Sequence, residues 1–149
     1  MTEVLFYHLQ QQPLESVLPP LLEKCLERGW RVVVEAGSPE RCDSLDALLW
    51  TFREESFLPH GTWRDPNAAI QPIVLTADAA NPNGARVRFA VDGADIGSAE
   101  GYDRLVLLFN GNDPESLDTA RAAWRRVKGE GHDATYWQQS GNGRWEKRA

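Results

Sequence analysis

Two short runs, Trp30–Glu35 (WRVVVE) and Arg104–Phe109 (RLVLLF), are dense in β-branched and aliphatic residues, and each stands beside a stretch whose apolar positions recur every three or four residues. This alternation constrains the chain more than any other feature. Strand, helix, strand, helix is the opening of an α/β sheet, in which helices cover the apolar strands and crossovers are right-handed. Glu3–Leu9 reads as the first strand. Pro13–Arg28 reads as the first helix, with Leu14, Leu18, Leu21, Leu22, Cys25 and Leu26 at helical spacing and Gly29 as its stop. Pro19 and Pro20 mark either its first turn or a kink. Ser38-Pro39 opens a second helix, since Ser caps well and Pro is favoured just after the cap. Leu45, Leu48 and Leu49 form its apolar face, and Trp50 lies near its end.

Beyond this helix, residues 51–72 form a long irregular stretch interrupted by prolines. Ile73–Thr76 is a short strand, and Asn81-Pro82-Asn83-Gly84 is a turn. Arg86–Val91 (RVRFAV) alternates polar and apolar, which predicts a half-buried or edge strand. RLVLLF is the most apolar run and predicts a central strand. Asn112 or Asp113 caps a last helix that begins at Pro114, runs to Lys128 and stops at Gly129. Thr135–Trp137 and Arg144–Trp145 flank Ser140-Gly141-Asn142-Gly143 as a terminal hairpin.

A chain of 149 residues fits one domain, 1–149, with a real core. A net charge of −6 argues against attraction of the whole surface to nucleic acid or anionic membrane, and leaves room only for a local basic patch. The N-terminus has neither a basic leader nor a long apolar run, and no window approaches the roughly 18 apolar residues of a membrane span, so the expected location is the cytoplasm. Cys25 and Cys42 form no CxxC pair and read as small buried side chains in a reducing compartment. His8, His60 and His132 lack metal-ligand spacing. AGSPER, after the second strand, is neither GxGxxG nor a Walker loop, and there is no GxSxG elbow. The carboxylates, among them Asp92, Asp95, Asp113 and Glu115, form no pattern with a base or metal ligand. No cofactor and no metal are expected.

Two features are left. Leu45–Gly61 (LDALLWTFREESFLPHG) begins as helix and ends as a loop bearing Phe57, Leu58, Pro59 and His60, and apolar residues in a loop need a core beneath or a partner above them. Arg121–Lys128 (RAAWRRVK) holds four basic residues and no acidic one. Arg121, Arg125 and Lys128 share one helix face beside an apolar stripe of Leu117, Ala120, Trp124 and Val127. Cations at a helix C-terminus complement its dipole, and Trp124 packed as core would explain the rest. The functional reading is a pocket for an acidic peptide with an aromatic anchor.

LDALLW followed by ESFLPH, the opening Phe6-Tyr7 strand, and the ARxxWR pattern at Ala120–Arg125 together resemble the chi subunit of bacterial DNA polymerase III. The resemblance spans nearly the whole chain, with gaps in the middle loops. It implies a single three-layer α/β domain with a mainly parallel, Rossmann-like sheet and helices on both faces. It also implies an accessory subunit without catalytic activity of its own, linking the clamp-loader complex to single-stranded DNA-binding protein and touching DNA only indirectly. On this resemblance Arg121, Trp124 and Arg125 grip that protein's acidic C-terminal tail, which ends in Pro-Phe, and helical spacing adds Lys128. Trp124 stands where Tyr is usual and Arg125 where Lys is, which keeps ring and charge but changes their geometry. Tyr136 and Trp137 are further candidates to close that pocket. Phe57, Leu58, Pro59 and His60, supported by Trp50, are implied to meet the psi subunit or an equivalent clamp-loader protein.

Two rivals come from other classes. One is a small α/β nucleotide-binding protein or enzyme using residues 51–72 as a lid, although no polar catalytic centre is visible beneath it. The other is a direct binder of single-stranded DNA, suggested by six tryptophans and a basic helix and opposed by the net charge.

Overall fold

The computed structural model describes residues 2–10, 12–51, 58–78, 80–139 and 144–149. The elements in chain order are β1 (Glu3–Leu9), α1 (Leu14–Glu27), β2 (Val32–Glu35), α2 (Pro39–Thr51), β3 (Gly61–Thr62), a 3-10 turn (Ala68–Ile70), β4 (Ile73–Thr76), β5 (Val87–Ala90), β6 (Arg104–Asn110), α3 (Pro114–Gly129), β7 (Asp133–Gln139) and β8 (Trp145–Lys147). The strands form one sheet in the order β3-β4-β2-β5-β6-β1-β7-β8. Every pairing is parallel except β7 with β8. This is the mostly parallel α/β architecture that the strand–helix alternation predicts, and the terminal hairpin supplies its antiparallel edge.

Successive strand residues point to opposite faces, so the central strands β1, β5 and β6 feed two cores. Leu5, Val32, Val34, Ile73, Leu75, Phe89, Val106 and Leu108 pack on one face against Leu18 and Leu22 of α1 and Leu45 and Leu49 of α2. Val4, Phe6, Leu105, Leu107 and Phe109 pack on the other against Ala120, Ala123 and Val127 of α3, with Ala94 and Ile96 from the β5–β6 loop. The helices thus make the outer two of three layers.

The helix ends follow their caps. Ser38 Oγ accepts from the Arg41 backbone N–H at 3.2 Å, and Asp113 accepts from the Ser116 backbone N–H at 3.2 Å with Pro114 following it. Pro19 and Pro20 fall in the second turn of α1, not its first. They remove the donors that would reach the carbonyls of Glu15 and Ser16. Both of those residues are exposed, so water can take over the lost bonds.

β5 corrects the sequence reading. It is no edge strand: it lies between β2 and β6, and all four of its residues are buried. The polar position that suggests a wet face is Arg88, only 3% exposed and ion-paired with Glu35 of β2. A paired charge inside the sheet gives the same alternation as a solvated one. Within 51–72, irregular in the sequence reading, the structure places β3 and the 3-10 turn.

Candidate functional site

α3 carries its functional side chains as a consequence of what it buries. Ala120, Ala123 and Val127 face the sheet, which turns Arg121, Arg125 and Lys128 outward, where all three are exposed. Arg126, the fourth cation of the run, is diverted: it pairs with Asp95 at 3.4 Å and donates to the Gly97 carbonyl at 3.2 Å. Arg121 lies 4.0 Å from Asp118 with both side chains largely in water, a contact worth little. Arg125 and Lys128 have no carboxylate partner among the described residues.

Trp124, half-buried between the two stripes, meets Phe6 edge-on at 5.3 Å between centroids and Tyr136 at 5.9 Å. The Lys128 ammonium stands 5.4 Å over its ring. Tyr136 also meets Phe109 at 6.0 Å, and its hydroxyl is 2.5 Å from His8 Nδ1. An aromatic floor of Phe6, His8, Phe109, Trp124 and Tyr136 therefore underlies the cationic rim. The sequence reading assigns neither Phe6 nor His8 to this site. The available signal is their spacing of two on a strand paired with β7, where Phe6 stands opposite Tyr136. Trp137 does not close this pocket. It is one residue on from Tyr136 and so points to the other face, where it stacks on Tyr7.

His8 is buried, and a Cβ on Gly111 would collide with its ring. Burial first, and the Arg121 charge second, hold its pKa below the ordinary 6.5. Burial pushes the Tyr136 hydroxyl up, against the pull of Arg121. Because the folded pKa of His8 is depressed, the unfolded chain takes up the proton first. The stability it contributes is fully present above pH 6.5 and is lost as pH falls through the lower, folded value. Unfolding midpoints compared at about pH 7.5 and about pH 5.5 are expected to lie closer together in His8→Asn than in the parent; an unchanged gap would remove His8 from the titration.

The second candidate surface divides. Leu58 is 2% exposed and packs in the α1–α2 core, and His60 is 3% exposed. The His60 ring is pinned by the Leu58 carbonyl at 2.6 Å and by Asp46, whose carboxylate is 3.0 Å from Nε2. Both residues therefore face inward and support the surface without forming it. Pro59 is half-exposed. Trp50 is 49% exposed, with its ring 4.3 Å from that of His60. Phe57 lies outside the described residues.

Residues 1–135 match the model of a protein family described as DNA polymerase III chi subunit, HolC. A protein from Rickettsia prowazekii (strain Madrid E) named "Probable DNA polymerase III subunit chi" is 31% identical over 109 residues, covering 73% of this chain and 66% of the relative. The chain belongs to the DNA polymerase III chi subunit family. That family is one of accessory subunits, not of catalytic ones. The matched stretch falls just short of two thirds of the relative's length.

In this chi-family chain the crevice where open α/β sheets hold nucleotides does exist. A cleft of about 890 Å³ opens beside the C-terminal ends of β1 and β6, the strands whose connections leave in opposite directions. Its charges do not suit phosphates. Glu15, Asp92, Asp113 and Glu115 line it, and its one arginine, Arg41, is held by Glu15 and Asp92, each at 2.9 Å. The start of α3 is already occupied by the Asp113 carboxylate. Among the described residues, none of 51–72 lines the cleft. Among the described residues no group of His, Cys, Asp or Glu could hold a metal ion, and no helix is long and apolar enough to cross a membrane.

Proposed function

We propose that the protein is a replisome adaptor in the cytoplasm, working as a single domain that ties the clamp-loader complex to the acidic C-terminal tail of single-stranded DNA-binding protein. The observation that carries this reading is the pairing of exposed Arg121, Arg125 and Lys128 with the aromatic floor around Trp124 and Tyr136, in a chain of net charge −6. The cations suit tail carboxylates, and the rings suit a terminal apolar side chain. Titration of the chain with a peptide ending in an acidic stretch plus Pro-Phe tests it. Binding is expected to weaken with salt and to fall sharply when Arg121 and Arg125 are both replaced by Ala.

The second attachment, to a psi subunit or equivalent clamp-loader protein, is proposed at Trp50 and Pro59, with Phe57 beside them in the chain. It is supported by the exposure of Trp50 at the end of α2. Two attachments raise effective concentration, so weak tail contacts suffice for tethering. Trp50→Ala is expected to weaken the clamp-loader contact by about tenfold or more, as loss of an interface Trp commonly does, while leaving tail affinity and the unfolding midpoint near those of the parent. Wild-type association with the clamp loader would sink this assignment.

A further inference from the structure

On the sheet face opposite the tail site, Tyr7, Trp137 and Trp145 gather. Tyr7 is stacked on Trp137, with centroids 6.4 Å apart and planes at 18°, and it meets Trp145 edge-on at 5.0 Å. All three rings are half-buried. Lys147 pairs across the ladder with Trp137 and so shares its face. Beside Tyr7 opens a cavity of about 160 Å³ whose walls include Lys24, Arg28, Trp30 and Arg104. Two guanidinium groups lie on the Trp30 ring, Arg28 at 5.0 Å and Arg104 at 4.7 Å from its centroid, which holds them in place. Arg104 is partnered by Glu3 at 3.2 Å. Lys24, Arg28 and Lys147 have no carboxylate partner among the described residues, and neither does the Tyr7 hydroxyl have a hydrogen-bond partner there.

We propose that this face, with Tyr7, Trp137 and Trp145 as stacking rings and Lys24, Arg28 and Lys147 at its rim, binds single-stranded nucleic acid. Adjacent half-exposed rings flanked by uncommitted cations are what bases and phosphates require together, and stacking on rings is indifferent to sequence. An acidic peptide would use the cations and leave most of the ring surface unused. The surrounding protein is acidic, so the complementarity is local to this patch and the binding is weak and salt-sensitive. The inference goes beyond the indirect contact with DNA implied by the family, and it does not depend on the tail site, which lies across the sheet.

The test is a titration of the full chain with an oligothymidylate of about 16 nucleotides, followed by tryptophan fluorescence at low salt. Quenching is expected, with a slope of log affinity against log salt of about −2 for three phosphate contacts. Lys24→Gln with Arg28→Gln should reduce the magnitude of that slope by about 1.4. Trp145→Ala should weaken binding by about fivefold or more. Lys24 and Arg28 are exposed, so their replacement tests the site even where Trp145→Ala loses structure. Arg121→Ala with Arg125→Ala should leave the oligonucleotide affinity intact. No quenching at low salt, or equal affinity in the Lys24–Arg28 variant, overturns the proposal. So does displacement of the oligonucleotide by an acidic peptide that itself depends on Lys24 and Arg28, which would make this a peptide site.

Discussion

Glu35→Ala is expected to destabilise the protein by about 3–5 kcal/mol, read from denaturant unfolding. Arg88 sits in the middle of the sheet, 3% exposed, with Nε donating to the Ile96 carbonyl at 3.1 Å and Nη2 to the Asp95 carbonyl at 3.2 Å. Nη2 also pairs with Glu35, and Nη1 is buried with no hydrogen-bond partner among the described residues. Removing the carboxylate leaves a positive charge where water does not reach, which costs far more than the net contribution of the intact pair. Glu35→Leu combined with Arg88→Met removes both charges and is expected to recover most of the loss. A cost for Glu35→Ala within about 0.5 kcal/mol, the range of ordinary surface changes, would mean that the pair is not what secures this part of the sheet. The consequence reaches the tail site. Arg88 fastens the β5–β6 loop through Asp95 and Ile96, and the same loop meets α3 through Ile96 and through Arg126. Tail affinity should therefore fall in Glu35→Ala at temperatures where the variant is partly unfolded, and be near the parental value in the double replacement.

Arg121→Ala combined with Arg125→Ala is expected to weaken binding of the acidic Pro-Phe peptide by about tenfold at low salt, each exposed contact contributing up to about 1 kcal/mol. The difference between parent and variant should narrow as salt rises, because exposed charges are screened within about 8 Å at physiological ionic strength. Arg121 and Arg125 are exposed, so their replacement is expected to leave the fold intact, with the unfolding midpoint as the control. Trp124 is a poorer first choice, since its contacts with Phe6 and Tyr136 make it part of the packing as well as of the pocket. Arg126→Ala is the informative contrast. Its guanidinium is committed to Asp95 and Gly97, so tail affinity should change little. Equal affinity in the parent and the Arg121–Arg125 variant would move the tail away from α3.

Periodicity was legible wherever one physical cause produced it. β1, β4 and the start of β6 lie where their β-branched and aliphatic runs put them, because burial alone sets those patterns. α3 ends at Gly129, one residue past the predicted Lys128. Periodicity misled where two causes give one pattern. Arg88 and a solvated edge position look alike in sequence, and only the neighbouring strand supplies Glu35. Leu58 and His60 likewise sit in a loop by sequence and in a core by structure, since what covers a loop is not written in the loop.

By itself the sequence determined the α/β class, the Ser38 cap, the central RLVLLF strand and the spacing that gathers Arg121, Arg125 and Lys128 on one side of a helix. These are local consequences of side-chain shape, polarity and helical or strand period. Tertiary structure alone decided which of those residues meet. Strand order brings β1 between β6 and β7, so Phe6 and His8 lie under the cations while Tyr7 and Trp137 face away from them. It also leaves Arg125 and Lys128 exposed while Arg126 is taken up by a loop about thirty residues upstream. Contacts between residues far apart in the chain depend on the register of the sheet, and that register is a property of the whole packed structure.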